Sequence, residues 1–296
     1  MRPLFFIFAA LISPVHALIV YDSPSSTTNT AYESAPANGS PWQYVAGVNN
    51  NGQREASGVY LGNGFVLTAG HVSLTGAVSV LLSGSTYLRD TSYSFNFFSS
   101  GVDLKLFRIL GDPGLSVLPI IADTDSDLNK ASTLIGWGVG KATGAGGDPA
   151  SVVSGQGWNW STLKSTMVER WGTNTTENTS YIGSGNNVYL GVDFDSSAGE
   201  ASMTLGDSGG ALFQKFGSTW KLSGIMAAVE ISDQSLYDKI AGGGETPSLS
   251  YALRLKNYND ALTTATAVPE PGTASLLIGS ALLWLGRRRR KATSPR

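Results

Sequence analysis

The 296 residues include no cysteine, which excludes disulfides, a thiolate nucleophile and any cysteine-ligated metal. Histidine is almost absent too. His16 and His71 are the only two, and a zinc helix built on paired histidines is excluded. Charged residues make up only 14% of the chain. No segment carries apolar residues at a sustained helical period, and no apolar run has the length of a full membrane span. What is abundant is glycine, with 36 residues, in a composition that is 42% hydrophobic and 10% aromatic. That balance belongs to a packed globular protein, not a disordered one. The length allows one large or two medium domains.

Both ends read as addressing segments. Arg2, the apolar run 4–12 and Val15-His16-Ala17 follow the order of a secretory signal peptide, residues 1–17, cut by signal peptidase after Ala17. His16 leaves with it, so the mature chain keeps one imidazole. At the other end, Val268-Pro269-Glu270-Pro271-Gly272-Thr273 precedes an apolar segment, 274–285, and the basic cluster 287–291. The cluster would hold that end on the cytoplasmic side. This order resembles the PEP-CTERM sorting tail of Gram-negative bacteria. For residues 263–296 the resemblance implies transient membrane anchoring and an exosortase-type sorting partner, with a surface or secreted product. An ordinary tail anchor is the alternative. Between the two ends, residues 18–262 hold 13 basic and 21 acidic residues, a formal charge of −8. An acidic body disfavours nucleic acid as a partner.

Residues 18–40 are rich in Ser, Thr, Asn, Ala and Pro and read as an exposed lead-in. From Trp42 onward, short β-type runs alternate with glycine. Gly58-Val59-Tyr60-Leu61, Gly62-Asn63-Gly64 and Phe65-Val66-Leu67-Thr68 have the pattern of a hairpin. Residues 78–82, 93–98, 104–110 and 115–121 are further strand candidates. Short strands about ten residues apart imply an all-β sandwich or barrel. Trp158, Trp160 and Trp171 read as core residues, with carbohydrate platforms as the alternative. Asp123, Asp125 and Asp127 alternate like the start of a calcium loop. Leucines stand at 128 and 134, where that loop needs Gly and Glu, so an exposed acidic loop is expected and no metal or cofactor.

The chemistry concentrates in Leu205-Gly206-Asp207-Ser208-Gly209-Gly210-Ala211-Leu212. Small, flexible neighbours can hold Ser208 Oγ exposed while aiming the N–H groups of Gly206 and Ser208 at one point. That is the geometry an oxyanion needs. A serine hydroxyl also needs a base. With one imidazole in the mature chain, the candidate is His71, in Leu67-Thr68-Ala69-Gly70-His71-Val72, where Ala69 and Gly70 leave room for another loop.

Thr68-Ala69-Gly70-His71 followed by Gly206-Asp207-Ser208-Gly209-Gly210 resembles the trypsin and chymotrypsin family. Gly136-Trp137-Gly138, the hairpin pattern at 211–229 and the run 251–262 extend the resemblance to about residues 42–262. It implies an all-β fold of two packed antiparallel six-stranded β-barrels, about 18–120 and 130–262, with a short C-terminal helix. It also implies polypeptide substrates and a catalytic acid between His71 and Ser208. Asp103 fits that place, because the alternating strand Leu104-Lys105-Leu106-Phe107 follows it; Asp90 is the runner-up. Ser202, six residues before the nucleophile, would be a neutral pocket base. Ala227, Ala228 and Val229 stand where the family often has Ser-Trp-Gly. Val229 would narrow the pocket towards small or medium apolar residues. Trimming Leu18 would free Ile19 to pair with Asp207. The competing readings are a protease-fold binding module without activity and a carbohydrate-binding sandwich. A serine esterase of another fold is set aside, because no β–α pattern surrounds Ser208 and the histidine precedes it.

Overall fold

Glycine-punctuated apolar runs become short antiparallel strands in the computed structural model, which describes residues 18–23, 30–142, 152–153, 157–183, 185, 187–230, 234–236 and 247–267. The signal segment, the tail from residue 268 and parts of the 141–187 stretch lie outside the described residues. A short N-terminal strand, β1 (Ile19–Val20), comes first. It is followed by β2 (Val45–Asn50), β3 (Gln53–Gly62), β4 (Phe65–Ala69), β5 (Val78–Leu82), β6 (Ser85–Leu88) and β7 (Leu104–Arg108). Strands β2 to β7 form one sheet in the order β6-β5-β2-β3-β4-β7. The expected hairpin is β3–β4, and Asn63 and Gly64 take φ of 54° and 83° in its turn, as a tight hairpin requires. Arg89 bridges Ile109, and Leu110 N–H donates to Leu88 C=O at 2.8 Å, so the sheet closes on itself. Val59, Val66, Leu67, Leu104, Leu106 and Phe107 are fully buried inside it.

Beyond residue 130 come β8 (Ala131–Gly136), β9 (Val152–Val153), β10 (Gly157–Asn159), β11 (Arg170–Thr175), β12 (Ser180–Ile182) and β13 (Val188–Val192). Then follow β14 (Ala201–Ser202), β15 (Ala211–Phe216), β16 (Thr219–Val229), β17 (Gln234–Leu236) and β18 (Ser250–Arg254). The second large sheet runs β11-β8-β15-β16-β18-β13-β12. It has seven strands, not the expected six, because the short β12 adds an edge beside β13. A small sheet, β17-β10-β9, stands beside it and buries Trp158 with Phe194 and Val139. Trp158 and Trp160 are core residues, at 0% and 4% exposure. Trp171 is half-buried and stacks edge-on against Tyr32.

The two chain ends are exchanged between the barrels. Residues 18–20 are not an exposed lead-in: Leu18, Ile19 and Val20 are all fully buried. β1 pairs with β14, Ile19 opposite Ser202; Leu18 and Val20 pack with Leu134, Leu212 and Met226, and Ile19 with Val139 and Trp158. The N-terminal stretch thus belongs with the second barrel and not, as expected, the first. Towards the C-terminal side the one α-helix among the described residues, α1 (Asn259–Thr266), sends Leu262 into the first barrel's core. Asn63 Nδ2 caps it there, donating to Thr266 C=O at 3.0 Å.

Two expected strands are not strands. In 93–98 only Asn96 pairs, with Leu106. Its carboxamide oxygen accepts from Phe98 N–H at 2.9 Å, and the chain turns at Phe98, φ 59°. Segment 115–121 instead straddles the barrels. Leu118 N–H donates to Leu61 C=O on one side, and Pro119 C=O accepts from Leu222 N–H on the other. Proline has no N–H for a ladder. The acidic loop is likewise not simply exposed. Asp127 is buried against the Arg254 guanidinium, whose Nε lies 2.6 Å from Oδ2, and Asp125 takes Lys221 Nζ at 2.7 Å.

Candidate active site

Strand register brings the acid and the base together. β4 and β7 pair with Ala69 opposite Leu104, so the residues just past one strand lie beside those just before the other. Asp103 Oδ1 accepts the His71 backbone N–H at 2.8 Å, and both carboxylate oxygens lie 3.0 Å from His71 Nδ1. The opposite ring nitrogen, Nε2, is 2.9 Å from Ser208 Oγ. Ser208 comes from the second barrel, in the loop between β14 and β15. The three predicted residues therefore form one continuous chain across the barrel junction. Asp90 is elsewhere, in a tight turn that accepts from Ser92 N–H at 2.9 Å and Oγ at 2.6 Å. These bonds hold its carboxyl below the usual range.

The Ser208 loop fits only with glycine at 209. That residue has φ of +88°, and a Cβ there would lie 2.1 Å from the Ser57 carbonyl oxygen. The N–H groups of Gly206 and Ser208 are placed by the carbonyls behind them. In a trans peptide, C=O and N–H point in opposite directions. Leu205 C=O accepts from Val139 N–H at 2.8 Å, and Asp207 C=O from Gly210 N–H at 2.8 Å. Both following N–H groups are thereby turned away from those walls. Among the described residues neither has an acceptor, as suits donors for an incoming oxyanion.

Asp207 is completely buried. Oδ1 accepts Gly138 N–H at 2.8 Å and Oδ2 accepts Thr204 N–H at 2.8 Å, with Thr204 Oγ1 at 3.0 Å. Burial pushes its carboxyl up to about 6, against the pull of these bonds and of the Arg170 charge. The Ile19 amide is held in the β1–β14 ladder, while Leu18 C=O accepts from Arg170 Nη1 at 3.2 Å. Arg170 is fully buried and paired to Glu33 Oε1 at 2.5 Å. The raised carboxyl has a thermodynamic consequence. An unfolded aspartate releases its proton near 3.9, whereas folded Asp207 keeps it to about 6. The folded state binds more protons in that window, so stability falls as pH rises from about 4 to about 6. Thermal melts of Asp207→Asn should lack this component of the slope, whereas melting curves parallel to wild type across the window would refute it.

A pocket of about 140 Å³ opens beside Ser208. Trp160, Met203, Thr204, Leu205, Ala227, Ala228 and Val229 line it, with no charged group among them. Ala227 and Val229 lie where expected. Ser202 does not line it. It is fully buried in β14, and its hydroxyl faces those of Ser235 at 3.1 Å and Ser250 at 3.4 Å. A larger cavity, about 520 Å³, lies apart from the triad around Asn174, Asp193, Asp195 and Glu200. Burial and the charges of Asp195 and Asp193 push Glu200 up to about 8.

Three contributors escaped the sequence reading. Trp160 walls the pocket as well as the core. Asn187 is buried, accepts Asp103 N–H at 3.2 Å and donates to Gly101 C=O at 2.8 Å, fixing the acid's loop from the second barrel. Ser57 bonds directly to the nucleophile loop.

Two antiparallel β-barrels with serine, imidazole and carboxylate at their junction define the chymotrypsin-like double-barrel fold, a fold of serine proteases acting on polypeptides. A family model described as Trypsin matches residues 31–241, and the chain belongs to the trypsin family. No curated protein matches the chain.

Proposed function

We propose that this chain is an exported serine endopeptidase working through an acyl-enzyme. Ser208 Oγ attacks the scissile carbonyl as His71 Nε2 takes its proton. His71 then returns the proton to the leaving amine, and a water molecule repeats the sequence to release the acid. Asp103 orients the ring and stabilises its protonated form. The N–H groups of Gly206 and Ser208 receive the oxyanion, each contributing about 3–4 kcal/mol to the transition state. The observation that carries the reading is the unbroken Asp103–His71–Ser208 chain, at 3.0 and 2.9 Å. A fluorophosphonate should label wild-type protein on Ser208 and fail on Ser208→Ala. A folded wild type that neither labels nor cleaves peptides would instead be a protease-fold binding module, the reading that Ala227 and Ala228 favour.

The uncharged 140 Å³ pocket supports cleavage after small or medium apolar residues. Val229→Gly should raise kcat/KM for leucine or phenylalanine over alanine at that position by about tenfold, the scale of hydrophobic pocket discrimination. A profile led by lysine or arginine in the wild type would sink the assignment. Export rests on residues 1–17 and 263–296, which read as a signal peptide and a PEP-CTERM tail in a Gram-negative bacterium. Asp207 is already engaged by neutral donors and Leu18 is seated. The active form is therefore expected to begin at Leu18, without trimming to Ile19. N-terminal sequencing of active enzyme decides between the two.

A further inference from the structure

Ser57 belongs to the first barrel, in the middle of β3, and is fully buried. Apart from His71, its side chain is the first-barrel side chain that hydrogen-bonds the nucleophile loop among the described residues. Four bonds converge on it. Its N–H donates to Ser208 C=O at 2.9 Å. Its C=O accepts from Thr68 Oγ1 at 2.7 Å, three residues before the histidine. Its hydroxyl oxygen accepts Trp137 N–H at 2.8 Å and lies 3.1 Å from Gly206 C=O. Trp137 N–H can only donate and Gly206 C=O can only accept, so the single hydroxyl hydrogen must point at Gly206.

That hydrogen acts on a glycine of the loop. Gly206 carries an oxyanion donor but has no side chain to fix its backbone. The peptide before it is pinned through Leu205 C=O to Val139 N–H; the peptide after it is pinned on its carbonyl side by the Ser57 hydroxyl and, by a longer bond of 3.2 Å, through Asp207 N–H to Thr204 C=O. With both planes held, rotation about Gly206 is fixed and its N–H keeps its aim. The Ser208 carbonyl is held by the same residue. We propose that Ser57 is a positioning residue for the oxyanion site: from the opposite barrel, its hydroxyl fixes the Gly206 peptide and so sets the rate of the chemical step.

The proposal rests on the peptidase reading above, and its test separates the two. Ser57→Ala should lower kcat about 10- to 100-fold, the scale of a misplaced catalytic group, with KM unchanged. Affinity for a peptide aldehyde, which forms an oxyanion-like adduct, should weaken by the same factor. Ser57→Thr keeps the hydroxyl and should restore most of the rate. Should the alanine variant fail to fold, Ser57→Cys, nearly isosteric but a weak donor, should show the same kcat loss. A folded alanine or cysteine variant with wild-type kcat and aldehyde affinity overturns the proposal alone. So does a loss confined to KM. A wild type that neither labels with fluorophosphonate nor cleaves overturns the peptidase reading, and this proposal with it.

Discussion

Replacing Ser208 with alanine should lower peptide hydrolysis by about a millionfold and leave the fold intact, because members of such a triad act as one unit. In the proposed mechanism Ser208 Oγ is the only triad atom that bonds covalently to the substrate, and without it His71 Nε2 has no proton to take. The side chain is half-buried, and its Oγ partner is His71 Nε2 at 2.9 Å. Its removal thus leaves no buried group unpaired and costs little stability. A residual rate about 10³–10⁴-fold above water should persist, because the Gly206 and Ser208 N–H groups still receive an oxyanion formed by direct water attack. His71→Ala should fall to a similar level, and the double variant no further. Single-turnover assays beside thermal melts report both quantities. Activity lost only together with the fold, or losses that multiply in the double variant, would contradict a concerted triad.

Asp103→Asn should cost about 10⁴-fold in kcat without disturbing the backbone. The reason lies in which groups can donate. The carboxylate accepts both the His71 backbone N–H at 2.8 Å and the ring at Nδ1 at 3.0 Å. It thereby places the ring hydrogen on Nδ1 and leaves a lone pair on Nε2 facing Ser208. A carboxamide has one accepting oxygen, which the backbone N–H claims. Its NH₂ then faces Nδ1 as a donor, the ring hydrogen moves to Nε2, and the base is lost. Wild-type KM with a collapsed kcat is the expected signature. A variant retaining more than about a tenth of wild-type kcat would mean that Asp103 is not the orienting acid.

Ser208 and His71 stood out through local signals, and Asp103 through the chain order that the family resemblance implies. Ser208 sits in a glycine-rich loop, His71 is the one imidazole outside the expected signal peptide, and an alternating strand follows Asp103. The first barrel's hairpin was legible for the same reason, as Asn63-Gly64 is a turn between two apolar runs. What could not be read depends on partners distant in sequence. Ile19 is one of two paired residues, and nothing around it announces Ser202 across the ladder. Ser202 itself was given a pocket by counting back from Ser208, but pairing with β1 and the Ser235 and Ser250 hydroxyls holds it beneath the surface. Ser57 and Asn187 act through a few hydrogen bonds between barrels, which leave no period or composition to detect. Segments 93–98 and 115–121 had strand-like side chains, but an asparagine turn and a proline denied them a ladder.

The exchange of chain ends sets the order in which the molecule can assemble. β1 has no partner until Ala201 and Ser202 exist, and the first barrel lacks Leu262 until the last helix is made. Contacts between such distant parts close slowly and late. A chain emerging N-terminus first has its histidine loop long before it has a seated first strand or a capped first core. Ser57 of β3 in turn has no nucleophile loop to hold until Gly206 and Ser208 exist. On the peptidase reading, hydrolytic competence would therefore arrive only when nearly the whole chain is present. Such latency by topology would spare a nascent protease from digesting its neighbours or its own unfolded remainder.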